Sequence, residues 1–199
     1  MAVIRLTVDN FGQIFDIYKS HTTFQGLPKI ASIYNETNWD ERWYNYHLIS
    51  FDNPRYYWFG DVEDGIIKSF IQYETWIKNG EQVVSNGFHI SNKTVIHKKS
   101  YGQKAWSDSL LECSNYAVDF FEAMNIYTAY STVRGKTAAP DGWIAASSIP
   151  QSKLYYYKHE LVEEVPAGML PVDIDLLTYV IHHRKTIAQT IYKSTKIIA

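Results

Sequence analysis

The sequence predicts an α/β chain built on a mixed, mostly antiparallel sheet, and three observations predict it. Glu63-Asp64-Gly65 and Lys78-Asn79-Gly80 separate runs rich in Tyr, Trp, Phe, Ile and Val, which is the chemistry of β-hairpins. A strong amphipathic helix follows the second hairpin, across a polar loop. Another β-branched run follows that helix, so the strands on either side of it are predicted as parallel neighbours joined by a crossover.

Each element has its own signal. Residues 2–8 alternate apolar and polar positions and predict a first strand. Asp9 or Asn10 caps a helix from Phe11 to about Ser20, with Phe11, Ile14, Phe15 and Tyr18 on one face. Trp39 to His47 reads as a second helix, with Asp40 and Glu41 near its positive end. Three strands follow, at Arg55–Glu63, Ile66–Ile77 and Gln82–Ser91; short connections make them an antiparallel meander. Gly87 inside the third predicts a bulge or a close approach of backbone. From Ala105 to Met124, Trp106, Leu110, Cys113, Ala117, Phe120 and Met124 recur at steps of four and three, the stripe of an amphipathic helix. Ile126–Val133 is the next strand, Ser152–His159 a short helix, and Leu161–Val165 a strand. The tail from Leu176 to Ile198 holds one or two more. Residues 134–150, with two prolines and two glycines, form an irregular insertion.

Bulk properties narrow the class. With 199 residues, 46% hydrophobic and 20% charged, the chain is expected to fold as one domain, 1–199, around a real core. A net charge of −2 without long runs of one sign argues against nucleic acid as a partner. Cys113 is the lone cysteine, which excludes an internal disulfide and a cysteine-built zinc site, and its place on the apolar stripe makes it core. No apolar run approaches a membrane span and no signal core opens the chain, so a soluble cytoplasmic protein is expected. Gly135-Lys136-Thr137 ends like a phosphate-binding P-loop, but Tyr130 stands where that motif needs glycine.

The order strand, two helices, meander, loop, helix, strand resembles the GNAT (Gcn5-related N-acetyltransferase) superfamily over most of the chain. Leu110-Leu111 matches the Leu pair that follows the family's Q/R-x-x-G-x-G/A pyrophosphate loop. That match assigns the loop to Gly102, Gln103, Lys104, Ala105, Trp106 and Ser107. Ala105 and Ser107 stand where the family has glycines, and Gly102 replaces its Gln or Arg. The resemblance implies helices on both faces of the sheet and an acyl-CoA donor, without a metal. Backbone at 102–107 would hold the pyrophosphate, with Lys98, Lys99 and Lys104 adding charge, or else these are ordinary surface lysines. The donor's arm would enter where the strands around Gly87–Ser91, Ile90 among them, splay from Ile126–Val133.

Leu154-Tyr155-Tyr156-Tyr157 resembles the family's Leu-Tyr motif, which makes Tyr156 the implied general acid for the departing thiolate. With 16 tyrosines in the chain, packing with a solvent-tipped hydroxyl competes with that role. Glu81 and His89 lie where the family places a general base, and Glu74 is a more distant candidate. The implied activity is transfer of an acyl group, acetyl in the first instance, to a small-molecule or peptide amine. A homodimer is compatible with this reading. Two alternatives stay open: donation from an acyl carrier protein, and a non-catalytic domain that binds a partner through its aromatic surface.

Overall fold

The computed structural model describes residues 2–21, 39–92, 94–95, 108–134, 150–166, 169, 172 and 189–197. In chain order the elements are β1 (Ala2–Arg5), α1 (Phe11–His21), α2 (Trp39–Leu48), β2 (Tyr56–Glu63), β3 (Ile66–Lys78), β4 (Glu81–Ser91), α3 (Asp108–Ala123), β5 (Thr128–Arg134), β6 (Tyr157–Val165) and β7 (Gln189–Lys196). The strands form one sheet in the order β1-β2-β3-β4-β5-β7-β6. All neighbours run antiparallel except β4 and β5, the parallel pair joined through α3.

The hairpins close on left-handed residues, as their sequence demands. Asp64 and Gly65 have φ of 51° and 76°, and Asn79 and Gly80 have 51° and 80°. Two positive φ angles in succession match the twist of the flanking strands. Asn125, at φ 61°, ends the α3 turn in the same way.

Alternation along β2 and β3 sorts their side chains onto two faces. Trp58 and Phe70, with Ile90 of β4, pack under α1 and α2 against Phe11, Ile14, Tyr18 and Trp43. There the Tyr18 and Trp43 rings stack at 3.9 Å, and Trp58 Nε1 donates to Ser50 Oγ (3.0 Å). Tyr57, Phe59, Ile71 and Tyr73 pack on the opposite face under Leu110, Cys113, Ala117 and Phe121 of α3. Fully burying one such aromatic ring contributes about 1.5–3 kcal/mol, so these two layers account for much of the fold's cohesion.

Some expected boundaries move, for local reasons. The first strand stops at Arg5 rather than residue 8. Thr7 N–H donates to Asn10 Oδ1 (2.9 Å) and Asn10 N–H to Thr7 O (3.0 Å), turning Val8–Asn10 into a 3-10 turn. On α3, Phe121 is buried where the stripe put Phe120, which is only partly covered; Met124 lies past the helix and is exposed. Of the helix expected at Ser152–His159, only Lys153–Tyr156 is helical, as a 3-10 turn. Tyr157 already pairs with Lys196 as the first residue of β6. The tail supplies β7; residues 173–188 lie outside the described residues, as do 22–38 and 135–149 of the expected loop and insertion.

Candidate active site

The site grows out of the seam between β4 and β5. On its outer side β4 is held by β3 from Lys78↔Glu81 to Ser69↔Ser91. On its own outer side β5 is held by β7 from Thr128↔Thr195 to Arg134↔Gln189. The two strands meet each other only at Val84↔Ala129 and Ser85↔Tyr130, and past that point they run on as separate arms.

The sequence of β4 explains the parting. Ile71 pairs with His89 but Tyr73 with Asn86, so Gln72 alone faces both Gly87 and Phe88. That extra residue is a bulge, which turns a strand away from its partner. Glycine lets the backbone approach closely there, because a Cβ at 87 would meet Gln72 Oε1 and force that side chain to shift. Gln72 is buried and cannot easily yield: its Nε2 lies 3.3 Å from Nδ1 of buried His47 on α2. Asn86, the first residue beyond the pairing, keeps a buried Oδ1 with no hydrogen bond among the described residues.

The predicted site residues fall at both ends of this seam. Glu81 opens β4 at the paired end, exposed, and its Oε1 accepts from Thr128 Oγ1 (2.9 Å) at the start of β5. Glu74, buried and opposite Ser85, is ion-paired to Arg55 (2.5 Å). His89 is exposed on the open arm, on the strand face opposite the buried Ile90. Ile90 packs in the core under α1 and α2, so backbone alone is left for a ligand there.

Tyr156 is 62% exposed and ends the 3-10 turn before β6. Its turn is fastened by Lys153 N–H to Asn115 Oδ1 (2.9 Å), by Leu154 N–H to Ser152 Oγ (3.2 Å), and by His159 Nε2 against Leu154 O (2.9 Å). Burial pushes the His159 imidazole below its ordinary value. The register Lys158↔Thr195↔Thr128 sets Tyr156 two residues ahead of β5. Its backbone is thus roughly 13 Å along the strands from the level of Tyr130, at about 3.3 Å per residue. Glu81 therefore lies at the paired end of the seam and His89 and Ile90 at the open one, while Tyr156 is level with the paired end but lies beyond β5 and β7, off the seam. Lys98, Lys99, Gly102, Gln103, Lys104, Ala105, Trp106 and Ser107 lie outside the described residues.

A polar cluster that sequence reasoning did not single out lies under the first turn of α3. Ser109 Oγ donates to Asp61 Oδ2 (2.7 Å) and is 2.6 Å from Ser69 Oγ, which lies 3.5 Å from Cys113 Sγ. All four residues are buried. Burial, foremost, pushes the Cys113 thiol up to about 12, so it packs as a neutral, inert group. The available signal for Asp61, Ser69 and Gln72 was a polar residue inside an otherwise apolar strand. Among the described residues there is no group of three metal-ligating side chains, and no helix is long and apolar enough to cross a membrane.

An open sheet that parts between its two parallel strands, with the crossover helix on one face and two helices on the other, defines the class: the chain has the GNAT acetyltransferase fold. It superposes on a probable acetyltransferase from Staphylococcus epidermidis with a TM-score of 0.63, at 9% identity over 98% of this chain and 99% of that one. A putative GNAT-family acetyltransferase from Desulfovibrio desulfuricans gives 0.57, at 11% identity over 96% of each chain. An aminoglycoside 6′-acetyltransferase type Ii gives 0.54, at 13% identity over 100% and 99%. No protein-family model matches the sequence, and no curated protein matches it.

Proposed function

We propose that this chain is an N-acyltransferase. It would move an acyl group, acetyl in the simplest case, from a CoA thioester to an amine by direct attack. The observation that carries the reading is the parting of β4 from β5 beyond Ser85↔Tyr130. An extended, amide-bearing arm such as that of CoA would lie along the strands where they part. Residues 1–199 act as one acyltransferase domain in the cytoplasm.

On this reading the backbone at 102–107, with Lys98, Lys99 and Lys104, holds the phosphates of the donor. The β4 arm at His89 and Ile90 lines its entry. The acceptor nitrogen forms a bond to the acyl carbon as the carbon–sulfur bond breaks. Glu81 or His89 takes the amine proton directly or through water, and Tyr156 returns one to the leaving sulfur, so charge balances. Glu81 lies at the paired end of the seam and His89 on the open arm, so His89 is the nearer of the two to the point where the donor's arm would enter. Most of the acceleration comes from holding the two reactants together. An amine acceptor, small molecule or peptide, agrees with the aminoglycoside acetyltransferase among the similar folds.

Thermal-shift titration with acetyl-CoA tests the reading. The melting temperature should rise with ligand concentration by mass action, and Lys99→Glu and Lys104→Glu should weaken the effect. Absence of any shift at millimolar acetyl-CoA would move the reading to a non-catalytic binding domain.

A further inference from the structure

Two amide side chains flank the bulge in β4, and they differ in their partners. Gln72, on the face under α1 and α2, has its Nε2 3.3 Å from His47 Nδ1. Asn86 stands opposite Tyr73, on the face covered by α3, in the same layer as buried Val84. Its Oδ1 is buried and has no hydrogen bond among the described residues. Asparagine is a poor strand former, and a bare amide oxygen in an apolar layer lowers stability further. Leucine or valine would pack against Tyr73 and Val84 with neither penalty. Among the described residues nothing in the fold calls for an amide here, and a local rule broken without gain to the fold marks a functional position.

Its place in the sheet supplies the function. Asn86 is the first residue of β4 past Ser85↔Tyr130, the last pairing with β5, so it borders the parting between the strands. What its oxygen lacks is an N–H donor, and the arm of an acyl-CoA carries secondary amides. We infer that Asn86 is a donor-binding residue: its Oδ1 accepts a hydrogen bond from an amide N–H of the arm, and the free protein is less stable for keeping it. On the acyl-CoA reading of the cleft, on which this rests, the contact selects thioesters with an amide-bearing arm over simple thioesters.

Calorimetric titration of the full chain with acetyl-CoA, beside thermal melting of the free protein, tests the assignment. Asn86→Leu is close in size and removes the acceptor, and Asn86→Val is a second apolar variant suited to a strand. Each free variant should melt about 2–4 °C above the parent. Each should nevertheless bind acetyl-CoA roughly tenfold more weakly, for the loss of one hydrogen bond. A merely structural residue would move both readouts the same way. An acetyl-CoA analogue with ester oxygens in place of the arm's amide N–H groups completes a cycle with Asn86→Leu. Its loss of affinity relative to acetyl-CoA should be roughly tenfold smaller in Asn86→Leu than in the parent. An equal loss in both overturns the inference, as does acetyl-CoA binding by both variants that matches the parent's. So does weaker binding accompanied by a lower melting temperature, which would make Asn86 a packing residue. If the parent itself does not bind acetyl-CoA, the acyl-CoA reading has failed and the inference with it.

Discussion

The two sides of β4 are built differently. Toward β3 it is paired from its first residue to its last, interrupted once by the bulge at Gly87 and Phe88. Toward β5 it is paired only at Val84 and Ser85. The meander from β1 to β4 also carries both main aromatic layers, under α1 and α2 on one face and α3 on the other. Beyond the seam the described core is a smaller group, Trp76, Val83, Tyr130, Val165 and Ile191. Among the described residues the larger aromatic layers thus lie on the meander side of the seam. A sheet that completed every pairing would have more backbone bonds and no cleft.

Substitutions can break that contrast or sharpen it. Trp58→Ala should have the largest effect. It empties a nearly fully buried ring site and removes the hydrogen bond to Ser50 Oγ, so urea unfolding should show a loss of about 3–5 kcal/mol. Equal tolerance of Trp58 and of seam residues would remove the distinction between the two sides.

Gly87→Ala comes next and acts on the seam. The new methyl displaces Gln72 from His47, for about 1–3 kcal/mol of stability by overpacking. Acetyl-CoA affinity should fall by more than the stability loss implies, and calorimetry of the folded variant measures it.

High pH probes the α3 layer. In the folded state Cys113 is raised from 9.0 to about 12, chiefly by burial, and burial raises the Tyr73 phenol as well. A raised group binds its proton more tightly when folded, so its contribution is complete below the unfolded value. It is lost as pH climbs toward the folded one. Stability measured by urea unfolding should therefore hold to about pH 9 and decline toward 12, less steeply in Cys113→Ala. Native protein at pH 8 should also resist thiol reagents. A fast-reacting thiol would mean that this layer is open.

Tyr157→Phe removes the hydroxyl that donates to Glu122 Oε1 (2.9 Å) and ties β6 to α3. About 1 kcal/mol is expected, without a change in acetyl-CoA binding. Lys153→Ala should be the mildest. Its partner Asp119 is exposed like itself, and such pairs contribute about 0.2–1 kcal/mol.

The sequence carried the hairpins, the crossover and the neighbours from β2 to β5, because turn residues and hydrophobic period act locally; the place of β7 between β5 and β6 was not legible. Asp64-Gly65 and Asn79-Gly80 need no partner to specify their turns. The bulge was legible for the same reason, as a glycine inside a strand. What the bulge does was not legible, since the parting of the arms depends on β3 and β7 gripping β4 and β5 from outside. The polar contacts of the candidate site are long-range too. Glu81 meets Thr128 and Asp61 meets Ser109 only after the sheet has formed. Periodicity misplaced Phe120 for Phe121 because the two are adjacent, and only packing of the helix on the sheet separates them.

Hydrogen exchange across β4, read residue by residue with and without acetyl-CoA, tests the cleft most directly. In the free protein Val84 and Ser85 should exchange slowly and some amides from Asn86 to Ser91 quickly. Saturating acetyl-CoA should slow the fast set and leave the paired residues as they were. Uniform protection along the strand before ligand is added, or no change after it, would mean that the arms do not part to receive a donor.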